Sequence, residues 1–254
     1  MIRLYIFLMF IIFSCLKSFG QNESYIVDIL VKEISTTTNT DQIDYKIDSL
    51  KKYISKDIYV FDNDYGIVDI FEREIDFNYV HQRIEISNSV DDFQLDFVKK
   101  NNQILLFIIQ LNTWESKKRK LITKYFVKDS SLINEYIKNR NTFYKTDKRL
   151  EDLISEISLN RTFAINSGYA FTLTQTAKEI QSLIDQKNYD EIFSFLKSYN
   201  IENQAFGTYG LSLMKKKKIK IPKEIKSIEK HIKKRNSDTL ICAGCICGIV
   251  KKIF

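Results

Sequence analysis

Proline occurs once in this chain, at Pro222, and histidine only at His81 and His231. Acid and base chemistry near neutral pH therefore has little to work with, because histidine is the side chain that titrates there unperturbed. No Gly-x-Ser-x-Gly, His-Glu-x-x-His or glycine-rich phosphate loop is present. Those absences remove the nucleophile elbow, the zinc-protease helix and the nucleotide cradle. Cysteine is missing between Cys15 and Cys242, and no stretch rich in glycine, proline and serine marks a linker. The apolar run over residues 4–16 is shorter than the roughly twenty residues a membrane-spanning helix needs.

At 44% hydrophobic and 13% aromatic, the chain can bury a proper core. Its start reads as a secretory signal peptide over residues 1–20. Arg3 precedes the apolar run, the small residues Ser18 and Gly20 precede a cut, and polar Gln21 follows it. Ile12-Phe13-Ser14-Cys15 resembles a bacterial lipobox, which implies lipidation at Cys15. Phe13 departs from that motif, and an ordinary cysteine in an apolar helix is the plainer reading. Ile, Lys and Asn dominate the composition, as in an AT-rich genome. The expectation is a bacterial protein that is periplasmic, envelope-associated or secreted.

The net charge of +7 is local. Residues 215–235 carry ten lysines and one arginine against Glu224 and Glu229, and the rest of the chain is slightly acidic. Nucleic acid is not an expected partner, since export separates the two and no aromatics interleave with the lysines to stack bases. Lys215, Lys216, Lys217, Lys218 and Lys220 are candidates for an anionic surface, such as lipid or acidic glycan. The plainer reading is a solvated helix face.

Helical spacing of Tyr25, Ile29, Leu30 and Ile34, then of Ile43, Ile47, Leu50 and Ile54, predicts two amphipathic helices. Residues 58–61 and 67–70 are β-prone around the turn composition Asp62-Asn63-Asp64-Tyr65-Gly66. Strands are predicted at 79–86, 93–97, 104–111 and 121–127, pairing in sequence as an antiparallel meander. Helical periodicity returns after Asp129, and another helix opens at Thr146-Asp147. The expected fold is α+β: a β-meander with helices over 21–145, an all-α part over 146–235, and a cysteine-containing tail over 236–254.

In the helical part, Ala205, Gly207 and Gly210 permit close approach of a neighbour, and Pro222 suits a first turn. The succession of short helices around Phe195-Leu196-Lys197-Ser198 and Gln204-Ala205-Phe206-Gly207 resembles HEAT-like hairpins, which implies a scaffold. Asn203-Gln204-Ala205-Phe206-Gly207, followed by Cys242-Ala243-Gly244-Cys245, is similar to the tail of uncharacterised exported bacterial proteins. That likeness implies no activity.

Cys242, Cys245 and Cys247 are the most unusual cluster. In an oxidising compartment they imply a local disulfide with one thiol left over. Cys242 and Cys245 have redox spacing, and three thiolates with His231 would number four zinc ligands. Packed inert thiols remain a further reading. His81 reads as a solvated or satisfied histidine. Asp69, Glu72, Glu74 and Asp76 read as a strand's wet face. Asp62 to Gly66 lacks the EF-hand glycine and glutamate positions, so a hairpin turn explains it better. Asn160-Arg161-Thr162 fits a glycosylation sequon, which matters only in a eukaryote. No cofactor is expected. The leading reading is a non-enzymatic binding or scaffold protein of the envelope, partnered by an envelope protein or an anionic surface, with peripheral membrane contact. The rival is a thiol or metal protein using the cysteine cluster.

Overall fold

A computed structural model describes residues 66–87, 92–115, 118–168 and 172–254. The signal-like segment, Cys15, the two N-terminal helices, the 58–61 strand and the turn over 62–65 lie outside the described residues.

The fold is α+β. Strands β1 (Gly66–Asp76), β2 (Tyr79–Ser87), β3 (Asp92–Lys100), β4 (Gln103–Glu115) and β5 (Lys118–Val127) form one antiparallel meander in sequential order. Two of its turns are two-residue connections, Phe77-Asn78 and Asn101-Asn102, with positive φ at all four positions. That is the backbone of a type I′ hairpin turn, whose twist matches the flanking strands. Asparagine suits it, whereas Phe77 at φ 55° is strained. Its ring packs against His231 and Phe143, with its centroid 6.1 Å from each. The central strands β3 and β4 are buried on both faces. Phe97 and Phe107 stack 4.9 Å apart on one side, while Val98, Leu106 and Ile108 meet helices on the other.

Six helices follow: α1 (Ser130–Tyr144), α2 (Leu150–Ile157), α3 (Gln175–Asp185), α4 (Tyr189–Leu196), α5 (Ile201–Lys216) and α6 (Lys223–Arg235). Asp129 caps α1 by accepting from the Leu132 amide, and Asn200 caps α5 through the Asn203 amide. Along α1, Ile133, Tyr136, Ile137, Arg140 and Tyr144 recur at helical spacing and are buried. They and the α2 residues Leu153, Ile154 and Ile157 pack on the sheet, joined by Tyr199 and Ile201. A second core gathers Ile180, Ile192, Leu196, Leu211, Met214, Ile225, Ile228 and Ile232 from α3 to α6.

The helical part is not helical throughout. A two-residue ladder, β6 (Asn166–Ser167) with β7 (Thr172–Leu173), precedes α3. The cysteine-containing tail forms the hairpin β8 (Thr239–Ala243) and β9 (Ile246–Lys251).

Glycine sets the spacing of α4 and α5. A β-carbon on Gly207 would lie 2.8 Å from the Leu196 backbone nitrogen, and one on Gly210 would lie 2.6 Å from Ile192 Cγ2. Backbone cannot rotate aside as a side chain can. Gly207→Ala is therefore expected to cost about 1–3 kcal/mol through overpacking, despite alanine's better helix propensity. Denaturant unfolding measures this, and an unchanged or raised midpoint would contradict the close packing.

Candidate functional site

The charged residues that the sequence suggested as a wet strand face divide in two. Glu72 and Glu74 are exposed, whereas Asp76 is buried, and so is Arg73, which that reading left out. Alternation turns Phe71, Arg73 and Ile75 toward one face and Glu72 and Glu74 toward the other, and the register shift between Glu74 and Asp76 brings Asp76 inward as well. Two buried networks grow from that inward face.

The first is centred on Asp96 in β3, whose side chain is fully buried. One of its oxygens accepts from Arg83 Nε at 2.8 Å and His81 Nε2 at 2.7 Å, and the other from Gln94 Nε2 at 2.6 Å. Arg83 also donates to the carbonyls of Ile157 and Leu159, closing the open end of α2. Arg73 donates from Nε to His81 Nδ1 and forms a bidentate pair with Glu202 of α5, at 2.5 and 3.2 Å. Glu202 in turn accepts from the Leu240 amide of β8. The result is one hydrogen-bonded line from β8 through α5 and three strands to α2.

Arg73 Nε always carries a proton, so His81 Nδ1 must accept and Nε2 must hold the ring's only proton. The geometry therefore requires a neutral imidazole. Burial, with Arg73 and Arg83 nearby, holds the His81 pKa at about 4 against the pull of Asp96. Burial alone would raise Asp96, but Arg83 and the His81 hydrogen bond hold it at about 2. His81 is thus satisfied rather than solvated, and it is sealed from any substrate.

The second network is centred on Asp76 at the end of β1. It accepts from Arg140 Nε of α1 at 2.6 Å, Arg235 Nη1 of α6 at 2.5 Å, His231 Nε2 at 2.8 Å and the Tyr144 hydroxyl at 3.2 Å. Burial works against its ionised form, yet Arg235 and Arg140 keep its carboxyl far below the usual range. Arg140 also lies over the rings of Tyr144 and Tyr199, at 4.4 and 4.1 Å. It donates to the Ser198 carbonyl, and Arg235 donates to the Ile75 carbonyl and to Gln204.

The cysteines and His231 do not converge. Cys242 and Cys247 form a disulfide across β8 and β9, and Cys245 is free and exposed. The pair formed is therefore not the Cys242/Cys245 pair of redox spacing. Two of the thiolates proposed for zinc are consumed, and His231 is committed to Asp76, so the four-ligand set is a correction. Among the described residues, no group of three or more His, Cys, Asp or Glu is placed to hold a metal ion.

The lysine candidates lie at the end of α5 and in the turn before α6. Lys215 pairs with both oxygens of Glu229 at 2.7 and 2.8 Å, and Lys217 with Asp185 at 2.6 Å. Lys216, Lys218 and Lys220 are exposed and have no ion-pair partner among the described residues. The outer face of α6 continues the pattern with Lys226, Lys230 and Lys234, also exposed. A groove of about 600 Å³ runs elsewhere, along β3, β4 and α2. It is lined by Gln94, Gln110, Asn112 and Ser158, whose hydroxyl has no hydrogen-bond partner.

Sequence reasoning missed Arg73, Arg83, Asp96, Arg140 and Glu202. One signal was available: pairing 79–86 with 93–97 as a hairpin brings Arg83 opposite Asp96, the register the sheet adopts. Compared with known proteins, the chain matches no family model, no curated protein and no solved structure.

Three outcomes follow from these networks. Below pH 6.5 the unfolded chain binds a proton at residue 81 that the folded chain refuses until about pH 4. Stability is lost as pH falls through that window, by up to about 1.4 kcal/mol per unit. Below pH 3.8 the loss continues toward about 2, as Asp96 protonates first in the unfolded chain. Urea titrations from pH 7 to 4 read the slope, and His81→Gln should flatten it; an equal slope in that variant refutes the assignment. Asp76→Asn leaves Arg140 and Arg235 buried without a counter-charge, an expected loss of about 3–5 kcal/mol. His231→Gln, at the half-exposed edge, is expected to cost only about 1 kcal/mol in the same assay.

Proposed function

We propose that this chain is an exported, non-enzymatic binding protein of the cell envelope that docks on an anionic surface through the basic face of α5 and α6. The signal-like first twenty residues support export. The observation that carries the docking is a local excess of unpaired positive charge: Lys216, Lys218, Lys220, Lys226, Lys230 and Lys234 are exposed without ion-pair partners among the described residues.

Supporting that reading, the side chains with the most perturbed ionisation are spent inside the fold. His81, Asp96 and Asp76 are fully buried and each is held by several partners. The strongest electrostatics thus fix the shape, and the lysines are left to meet a partner. Short helices stacked beside the sheet give those lysines a rigid backing, as a scaffold requires. Each lysine near an anionic surface contributes about 1 kcal/mol, screened by salt.

The test is co-sedimentation of the protein with vesicles of phosphatidylcholine alone or mixed with phosphatidylglycerol. Binding is expected only to the anionic vesicles, falling as salt rises. The triple substitution Lys216→Glu, Lys218→Glu and Lys220→Glu should weaken it by about tenfold or more. Equal binding to both vesicle types, or none to either, overturns lipid docking.

A further inference from the structure

The C-terminal hairpin leaves apolar side chains in solvent that the fold could have hidden. Ile246, Ile249, Val250 and Phe254 are all exposed, Ile246 by 66%. The inner strand β8 is firmly held. Leu240 donates to buried Glu202 and accepts from the Phe163 amide, and the Cys242 amide donates to the Phe163 carbonyl. The outer strand β9 is exposed along its whole length.

Pairing shows how the apolar residues come together. Ile241 faces Ile249 and Ala243 faces Ile246, so these four share one side of the hairpin. Ile246 and Ile249 are three residues apart and would point to opposite sides of a regular strand. Gly248, at φ 86°, is the extra residue that turns them to the same side. The Cys242–Cys247 disulfide ties the two strands at this level, so the patch is fixed rather than induced.

Its surroundings are cationic. Lys251 and Lys252 follow the apolar residues, and the Phe254 amide donates to Asn236, the C-cap of α6, at 3.1 Å. That contact returns the chain to the last turn of α6, with Lys233 and Lys234. Residues 223–254 carry eight lysines and arginines against three carboxylates. A second copy meeting this surface through its own would set lysine against lysine, which disfavours self-pairing. An apolar patch rimmed by lysine suits the boundary between acyl chains and anionic headgroups.

We propose that the β8–β9 hairpin is a lipid-contacting wedge, with Ile246 and Ile249 entering the interface of an anionic bilayer and Lys251 and Lys252 meeting its phosphates. It rests on the docking proposed above, names lipid as the surface, and identifies the element that enters it. Electrostatics from α5 and α6 bring the protein to the surface, and the hairpin adds an attachment that salt does not screen.

Cys245 provides the reporter, because it is free and exposed at the hairpin tip. The full chain with Cys15→Ser, carrying an environment-sensitive dye on Cys245, is mixed with phosphatidylglycerol-containing vesicles. The expected result is a blue shift of the dye on binding. Ile246→Asn with Ile249→Asn should abolish the shift and weaken binding at high salt by about tenfold or more. Binding at low salt should persist in that variant, and its circular dichroism should match the parent. Vesicle binding with an unshifted dye and an unaffected variant overturns the wedge while leaving anionic docking standing. Binding neither to vesicles at any salt nor to a soluble acidic polysaccharide overturns both. Binding to a soluble acidic polysaccharide but not to vesicles overturns the wedge alone. Concentration-dependent dimerisation that the double substitution removes assigns the patch to a second copy and overturns the wedge.

Discussion

A single carboxylate, Asp76, is shared by two guanidinium groups in the interior, and much of the tertiary arrangement depends on it. Arg140 reaches it from α1 and Arg235 from α6, while Asp76 itself ends β1. Each arginine is nearly solvent-free, so neither is stable there without that charge. The sheet, its covering helix and the last helix are therefore bound at one point by ionic chemistry. Phe77 in its strained turn is explained by the same place: the network fixes Asp76 on one side, and His231 and Phe143 hold the phenyl ring on the other.

The Asp96 network does a different job. Replacing buried ion pairs with apolar side chains of similar size is often neutral or stabilising, so such pairs are weak evidence for stability. What they supply here is register. A slip of one residue between β2 and β3 would part Arg83 from Asp96 and turn His81 toward the opposite face. Apolar neighbours such as Ile84 and Leu95 would tolerate several offsets. The buried charges would not.

The meander was legible because its evidence is local. Alternation in Phe93, Leu95 and Phe97 and the unbroken apolar run in β4 each declare a strand, and polar pairs such as Asn101-Asn102 declare turns. The α+β class follows from those elements together with the helical periodicity after Asp129. The buried networks were much less legible, because a charged residue on the polar side of a strand looks the same whether that side meets water or helices. Arg73 finds Glu202 and Asp76 finds Arg235 only after α5 and α6 have packed on the sheet. The cysteine cluster shows the same limit. Three cysteines in six residues imply a bridge, but the turn and the bulge at Gly248 decide that Cys242 meets Cys247.

Those long-range partners also give the chain an order of assembly. As synthesis proceeds, β1 to β3 emerge bearing Arg73, Asp76, Arg83 and Asp96 well before Glu202 and Arg235 exist. The early strands can pair, but two of their inward charges have no permanent counter-ion, so the sheet cannot close over them. The lock is completed by Glu202 and Arg235, which lie 129 and 159 residues along the chain from the Arg73 and Asp76 they pair with. Until both are in place, Arg73 lacks its carboxylate and Asp76 its second guanidinium, so closing the core and completing these pairs belong to one step.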